Sequence, residues 1–355
     1  MVPLNFPGKV VWNVVLVVLY AEMGRLTGNI PRADLELFTN LDREKIMMIK
    51  LWIKAVRAPF FTATIIPVLL GTVIAWVHTR QIFWMKLLLT LIGVIFVHAG
   101  TNLTNDFYDH KSKNDELNLH PTPFSGGSRI IQQGLIPTKR IFYSALMFFG
   151  LGSVVGLYLN SVSKGNIILI LGLVGVLLGF FYTAEPLRIG YLGIGELAVG
   201  FGFGPLIVGG AYYIQAQRMS VEPFLASIPI SILIMLVLYI NEFPDYEADK
   251  LVNKRTWIVI LGKERAVKIY YLLLALVYIT IITGIIFRFL PLFSILAFAS
   301  LPLSLKAIAI SWKNYDKIEE LLPVNAITIK LHLIIGLLLI TGYFLDKLLF
   351  IFAHP

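Results

Sequence analysis

Nine apolar segments, each long enough to cross a lipid bilayer, dominate this chain. A helix that spans the hydrocarbon core needs about 20 mainly apolar residues. The candidate spans run over 59–78, 82–105, 141–160, 166–183, 195–216, 224–243, 266–288, 290–311 and 326–350. Because 57% of the residues are hydrophobic and only 14% are charged, a soluble domain is excluded. We therefore expect an all-α membrane protein whose transmembrane domain covers residues 59–352.

The charge and the missing cysteines exclude several kinds of function. The chain has no cysteine, so disulfides and thiolate metal sites are excluded. Its formal charge is +9, but no basic stripe with interleaved aromatic residues accompanies that charge. We therefore expect no nucleic-acid partner. In a membrane protein, excess Lys and Arg indicates cytoplasmic loops and contact with anionic membrane lipid.

The distribution of Lys and Arg predicts the orientation in the membrane. Most of them lie before the first span and in the loops 106–140, 183–194, 244–265 and 312–325. By the positive-inside rule these segments face the cytoplasm. We expect a multi-pass protein of the cell (plasma) membrane whose C-terminus lies on the opposite side.

The segment before the first span has two parts. Residues 41–58 alternate apolar and basic positions at helical spacing and include Trp52, which predicts an amphipathic helix in the headgroup layer. Residues 1–40 form an N-terminal extension of unknown role, in which the apolar run 10–21 is too short to span. Two interpretations remain open for it: an extra surface helix, or an upstream start codon with initiation at Met23.

Two acidic clusters follow directly on apolar segments. The first runs from Asn102 through Asp106 to Asp109, and the second from Asn241 through Asp245 to Asp249. Each repeats one element, an Asn followed four residues later by an Asp. They close the second and sixth spans, which have the same orientation. Carboxylates at bilayer depth are costly and mark ion, substrate or proton sites.

On a helix, each cluster would place its potential metal ligands along one face. Positions i, i+4 and i+7 or i+8 share one face of a helix, so the Asn and the two Asp side chains of each cluster point the same way. Mg²⁺ prefers one or two carboxylates together with substrate phosphate oxygens. The two stripes therefore predict a site for Mg²⁺ and a diphosphate.

Basic residues near the clusters are candidates for binding the diphosphate. Arg129 follows Gly126 and Gly127, which let backbone N–H groups approach an anion. A flexible interhelix turn explains the same residues. Lys254 and Arg255 come within two helical turns of Asp249, although the positive-inside rule alone also predicts basic residues there.

Three further residues are expected beside the cavity on the cytoplasmic side that both clusters would face. Tyr182 and Arg188 lie in the connection between the fourth and fifth spans, and Arg57 precedes the first span. The alternative for Tyr182 is an interfacial belt tyrosine. The alternative for Arg57 is a snorkelling anchor.

Together these motifs resemble the UbiA superfamily of intramembrane prenyltransferases over roughly residues 50–350. The residues that carry the resemblance are Asn102, Asn105, Asp106, Asp109 and Asp115 in the first cluster, Asn241, Asp245, Asp249, Lys254, Arg255 and Thr256 in the second, Tyr182, Pro186, Leu187 and Arg188 between them, and Arg57. Within the superfamily the chain is most similar to the MenA group, the 1,4-dihydroxy-2-naphthoate polyprenyltransferases. The spacing from Asp109 to Asp115 and the motif Gly193-x-Gly195-Glu196 indicate that group.

The resemblance implies a fold, a reaction and a set of roles. The fold is nine transmembrane helices around a central cavity open to the cytoplasmic side. The reaction is Mg²⁺-dependent transfer of a polyprenyl group from its diphosphate to an aromatic acceptor. Asp106, Asp109, Asp245 and Asp249 would hold Mg²⁺ and, with Tyr182, act in catalysis. The implied substrate-binding residues are Arg57, Asn102, Asn105, Asp115, Arg129, Arg188, Asn241, Lys254 and Arg255.

Three alternatives to naphthoate prenylation remain. The acceptor can be 4-hydroxybenzoate, homogentisate, haem or an isoprenoid-glycerol phosphate. The carboxylates can instead form the ion site of a cation-coupled transporter, although transporter sites lie near the bilayer midplane. A catalytically inert lipid-binding scaffold is the third alternative.

Overall fold

The computed structural model describes residues 45–353. Residues 1–40, with both interpretations of the N-terminal extension, lie outside the described residues, as do the first four positions of 41–58. Over the described residues the chain is helical and forms no strand. The expected all-α fold is therefore confirmed.

Twelve helices of four or more residues organise the described part of the chain. In chain order they are α1 (45–55), α2 (Ala58–Thr79), α3 (Trp84–Lys111), α4 (Asn114–Leu117), α5 (Thr138–Ser161), α6 (Ile167–Phe181), α7 (Gly195–Ala216), α8 (Glu222–Leu251), α9 (Trp257–Leu261), α10 (Lys263–Ile286), α11 (Leu292–Asn314) and α12 (Ile318–Ala353). Each predicted span corresponds to one long helix. Eight of these long helices are apolar enough to cross a membrane, and the ninth, α6, has only 15 residues.

The main error in the predicted boundaries concerns the two acidic clusters. The loops were expected to begin at residues 106 and 244, but α3 continues to Lys111 and α8 continues to Leu251. Hydropathy detects apolar composition, and it fails where a helix stays regular while its side chains become polar. Both clusters lie in helix, as the predicted stripes require.

The α1 helix is formed, as predicted for the C-terminal part of 41–58. Exposed apolar side chains include Ile46, Met47 and Ile53. Its position in the headgroup layer stays a prediction.

The core of the bundle lies where α2, α7, α8, α10 and α12 meet. Large buried side chains there include Leu70, Tyr212, Tyr239 and Tyr270. The close packing of α2 on α7 depends on Gly71, since a Cβ at this position would meet the backbone of α7 at Val208. Small residues allow helices to approach in this way within membranes.

Both α3 and α8 end on the same side of the bundle. Side chains of the segment after α3 hydrogen-bond to the last turns of α8. We call this side, defined by the two acidic clusters, the acidic end. The fold thus brings the clusters together although more than 130 residues separate Asp106 from Asp245.

Candidate active site

A cavity of about 520 Å³ lies among α2, α3, α5, α6, α7 and α8 and extends to the acidic end. The sequence-predicted residues that line it are Arg57, Asn102, Asn105, Asp109, Asp115, Tyr182, Asn241, Asp245 and Lys254. Away from the acidic end the wall is mostly apolar and includes Val97, Leu171 and Leu206. The arrangement suits a molecule with a long apolar tail and a polar head, and an anionic head would need cations that neutralise the carboxylates.

The first cluster is balanced by an arginine. Arg57 forms an ion pair with Asp106 and donates a hydrogen bond to Asn105 Oδ1 at 3.1 Å. The backbone N–H of Ser128 donates to Asp106 Oδ1 at 3.3 Å. Burial alone would lower the pKa of Arg57, but the carboxylates of Asp106 and Asp115 outweigh burial and raise it. This guanidinium therefore remains charged.

Asp109 lies one turn further along α3 and is also buried. Its carboxylate accepts hydrogen bonds from Asn105 Nδ2 at 2.8 Å and from the Tyr191 hydroxyl at 3.0 Å. Lys254 Nζ lies 4.0 Å from Asp109 Oδ2. Burial and the charge of Asp109 raise the pKa of Tyr191 to about 12, so its hydroxyl stays a donor.

The second cluster is balanced by amides and a lysine. Asp249 accepts from Asn114 Nδ2 at 2.9 Å and lies 3.3 Å from Lys254 Nζ. Asp245 accepts from Asn118 Nδ2 at 2.7 Å and from the Gly126 backbone N–H at 3.3 Å. All three of these amide donors come from the segment that follows the first cluster.

Lys254 is the cation shared by both clusters. It is 9% exposed and faces both Asp249 and Asp109. Burial opposes its charge, but the two carboxylates outweigh burial and raise the pKa of Lys254 well above its usual value. A permanent positive charge therefore lies between the clusters.

The loop after the first cluster holds Asp115 in place. This side chain is 3% exposed, and Gln132 Nε2 donates to its Oδ2 at 3.3 Å. Gly127 has φ +73°, and a Cβ there would overlap the Asp115 carboxylate. Burial, then the charges of Asp109 and Asp106, raise the pKa of Asp115 to about 8.

Tyr182, Asn102 and Asn241 occupy the wall as predicted. Burial, followed by the charge of Glu242, raises the pKa of Tyr182 well above its usual value. Asn102 Nδ2 donates to the Val56 carbonyl at 2.9 Å. Asn241 Oδ1 accepts from Asn325 Nδ2 at 2.8 Å.

Five predicted residues are outside the lining of the cavity. Asp106 and Asp249 lie behind it, bonded to lining residues. Arg129 donates to the backbone carbonyl of Asp115, and Arg188 stacks 4.0 Å from the centre of the Tyr191 ring. Arg255 is exposed, and its backbone N–H bonds to the Tyr191 carbonyl at 3.3 Å. The structure does not bring these three arginines to the cavity.

Oxygen atoms without partners indicate where a metal fits. Among the described residues, Asp106 Oδ2 and Asp249 Oδ2 are buried and accept no hydrogen bond. Across residues 45–353 no group of three or more His, Cys, Asp or Glu side chains is placed to hold a metal by itself. Both observations fit Mg²⁺, which takes one or two carboxylates and completes its coordination with water and substrate phosphate oxygens.

Sequence reasoning missed several polar groups of the site. Asn114 and Asn118 lie four residues apart just after the first cluster, a spacing that could have identified them. Glu242 directly follows Asn241 and lines the cavity. No signal in the sequence identifies Tyr191, because its contact with Asp109 arises only from the packing of distant segments.

Comparisons with known proteins find a matching family and similar chains. The model of the UbiA prenyltransferase family matches residues 64–347. The 2-carboxy-1,4-naphthoquinone phytyltransferase of Synechocystis is 28% identical over 296 residues, which cover 83% of this chain and 93% of that protein. The 1,4-dihydroxy-2-naphthoate octaprenyltransferase of Bacillus subtilis is 30% identical over 277 residues, which cover 78% and 85%.

Two solved structures share the fold. A UbiA homologue from Archaeoglobus fulgidus bound to GPP and Mg²⁺ has a TM-score of 0.58 and 18% identity, with 82% of this chain and 99% of that chain covered. The apo structure of a UbiA homologue from Aeropyrum pernix K1 has a TM-score of 0.61 and 15% identity, with 80% and 97% covered.

Proposed function

This chain belongs to the UbiA prenyltransferase family, and we propose that it transfers a polyprenyl group from polyprenyl diphosphate to 1,4-dihydroxy-2-naphthoate in a Mg²⁺-dependent reaction. It is an integral, multi-pass membrane protein. The positive-inside pattern supports a place in the cell membrane with the acidic end facing the cytoplasm.

One observation carries the proposal. Two carboxylate clusters from distant helices meet at one end of one cavity, and each keeps a buried oxygen that accepts no hydrogen bond from the described residues, on Asp106 and on Asp249. Buried carboxylate oxygens are costly when unpaired. Mg²⁺ held by Asp106, Asp109, Asp245 and Asp249 would satisfy them and would neutralise charge on the leaving diphosphate.

The basic side chains of the site then explain how the prenyl diphosphate ionises. Lys254 and Arg57 are fixed cations beside the position of the diphosphate, and they stabilise the negative charge that develops on it. The bond between the allylic carbon and the diphosphate oxygen breaks, and its electron pair leaves with the diphosphate. The apolar wall keeps water from the resulting cation.

The same cavity accounts for the second half of the reaction. Tyr182 presents its ring to the cavity, where it stabilises the allylic cation by cation–π attraction. The electron-rich ring of the acceptor supplies the electron pair of the new C–C bond. With dihydroxynaphthoate, loss of CO₂ accompanies this step.

The acceptor is inferred from the names of the relatives. Both relatives described above are named for naphthoate or naphthoquinone prenylation. The rival acceptors are 4-hydroxybenzoate, homogentisate, haem and isoprenoid-glycerol phosphate.

Incubation of the purified protein with geranylgeranyl or farnesyl diphosphate, Mg²⁺ and 1,4-dihydroxy-2-naphthoate tests the proposal. We expect prenylated naphthoquinol by mass spectrometry, and no product from the Asp245→Ala variant. Mg²⁺-dependent prenylation of another acceptor alone would overturn the naphthoate assignment. No product with any acceptor would overturn the proposed reaction.

A further inference from the structure

His98 lies on the same face of α3 as the first acidic cluster but deeper in the cavity. His98, Asn102 and Asp106 follow one another at intervals of four residues, a spacing that keeps side chains on one face of a helix. At about 1.5 Å per residue, His98 lies about 12 Å from Asp106 along the helix axis, away from the acidic end. Its neighbours in the cavity wall include Val94 and Val97. A polar ring thus lines a part of the wall that is mostly apolar.

Three contacts fix the orientation of the His98 ring. Thr64 Oγ1 on α2 lies 2.7 Å from His98 Nδ1. The rings of Phe61 and Phe203 pack edge-on against the imidazole, with ring centres 5.2 Å and 4.9 Å away. Phe203 belongs to a π-helical turn of α7, Gly202–Leu206, and such turns occur frequently at functional sites. The imidazole is therefore held in one orientation from two neighbouring helices.

The hydrogen bond to Thr64 determines which nitrogen of His98 carries the hydrogen. A neutral imidazole has one N–H and one bare nitrogen. Thr64 is fully buried, and its hydroxyl bonds to no described residue other than His98. If Nδ1 carried the hydrogen, the hydroxyl hydrogen of Thr64 would be left unpaired in the interior, which is costly. The Thr64 hydroxyl therefore donates to Nδ1, and the imidazole hydrogen is on Nε2.

The imidazole is neutral, and its Nε2–H is available to a ligand. The polar and aromatic contacts of the ring involve no charged side chain, and an unpaired charge in apolar surroundings is costly. Nε2 makes no hydrogen bond to any described residue, and it is accessible from the cavity. Polar atoms in the interior are paired in the great majority of cases. This exception points to a ligand that accepts a hydrogen bond.

The chemistry of the two substrates decides between them as partners for this N–H. A polyprenyl tail is a hydrocarbon and accepts no hydrogen bond, and a diphosphate at the clusters is bound about 12 Å away along α3. Two neighbouring hydroxyls of the wall offer no donor, because Thr90 and Thr101 donate to the carbonyls of Lys86 and Val97 at 2.7 Å and 3.0 Å. The aromatic acceptor is the substrate whose oxygen atoms can lie beside His98.

We propose that His98 binds the aromatic acceptor by donating a hydrogen bond from Nε2–H to one of its oxygen atoms. Thr64 is a positioning residue, since it acts by holding the hydrogen of His98 on Nε2. The inference rests on the proposed prenyl transfer, and it adds two residues of the apolar part of the cavity to the site. The contact holds the acceptor ring between the acidic end and the apolar interior.

Substitution of His98 tests the contact through the separate KM values of the two substrates. His98→Leu removes the donor and should raise the KM for 1,4-dihydroxy-2-naphthoate by about 5- to 30-fold. The KM for prenyl diphosphate should change by less than about twofold, because the clusters are untouched, and this also shows that the variant is folded. His98→Gln keeps an N–H donor and should retain part of the affinity for the acceptor.

The matched control is His120→Leu, where the side chain is exposed in the loop after α4. It should leave both KM values at the wild-type level. An unchanged acceptor KM in His98→Leu, or an equal rise in the KM of both substrates, would overturn the inference.

Thr64 is tested by nitrogen NMR of the imidazole, whose chemical shifts distinguish a protonated from a bare nitrogen. Comparison with His98→Gln identifies the His98 signals. We expect hydrogen on Nε2 in the wild type and in Thr64→Ser, and a mixture of both tautomers in Thr64→Val. Thr64→Val should also raise the acceptor KM, with no further rise when it is combined with His98→Leu. Hydrogen on Nδ1 in the wild type, or additive effects on KM, would overturn the role of Thr64.

Calorimetry with 1,4-dihydroxy-2-naphthoate, without prenyl diphosphate, separates this inference from the reaction. Weaker binding by His98→Leu than by the wild type supports the contact even when no acceptor is prenylated, an outcome that would overturn the proposed function alone. Equal affinity of the two proteins, including no binding by either, would overturn the contact. Product formation by the wild type would then still support the proposed function.

Discussion

The two acidic clusters occupy equivalent places at the ends of α3 and α8, yet different cations and hydrogen-bond donors stabilise their carboxylates. The first receives a guanidinium from the segment before α2 and the hydroxyl of Tyr191. The second receives the amides of Asn114 and Asn118 and the ammonium of Lys254.

This difference shows that the clusters depend on each other. The donors of the second cluster come from the segment that follows the first, and Lys254, which follows the second, also lies near Asp109. A change next to one cluster should therefore be measurable at the other.

The largest expected effect comes from removing Mg²⁺, because both clusters are proposed to bind it. Excess EDTA should abolish turnover, because Lys254 and Arg57 alone cannot neutralise a leaving diphosphate. Product formation measured by mass spectrometry checks this, and added Mg²⁺ should restore it. Undiminished turnover in EDTA would contradict the metal assignment.

Single carboxylate substitutions test whether the clusters contribute equally. Asp106→Ala and Asp249→Ala should each lower kcat by at least about 100-fold, because each removes one of the free oxygens assigned to Mg²⁺. Steady-state kinetics provide the measurement, and the exposed Asp316 is the matched control as Asp316→Ala. A large loss in only one variant would show that one cluster holds the metal.

Neighbouring basic residues sharpen the comparison further. Lys254→Met should raise the KM for prenyl diphosphate by about 10- to 100-fold, since a buried charge beside two carboxylates is lost. Arg255→Met should change it by less than about threefold, because that side chain is exposed. Equal effects of the two substitutions would contradict the shared position of Lys254.

The smallest effect tests the link between the clusters. Asn118→Ala removes one donor to Asp245, and the Mg²⁺ concentration for half-maximal activity should shift by about three- to tenfold. A Mg²⁺ titration measures this shift, and Asn160→Ala, with an exposed hydrogen bond, serves as control. An unchanged titration would show that the amide of Asn118 has no influence on the second cluster.

Hydropathy and helical spacing predicted much of this arrangement. The nine spans and the stripes around Asp106 and Asp245 follow from composition and from the 3.6-residue period, which are local properties of the chain. The ends of α3 and α8 were misplaced because a polar side chain does not end a helix when its backbone bonds remain internal. The sequence predicts Arg129, Arg188, Arg255 and Lys254 alike as substrate-binding residues. Of these four, packing brings only Lys254 to the cavity.

By itself, the sequence determined the helical membrane fold, the family resemblance and the residues that carry two acidic clusters. The tertiary structure decided which charges meet: Arg57 with Asp106, and Lys254 with both clusters. The physical reason is the separation along the chain over which each property is determined. Hydropathy and helical period depend on neighbours along the chain, whereas an ion pair depends on the separation of atoms that distant helices bring together.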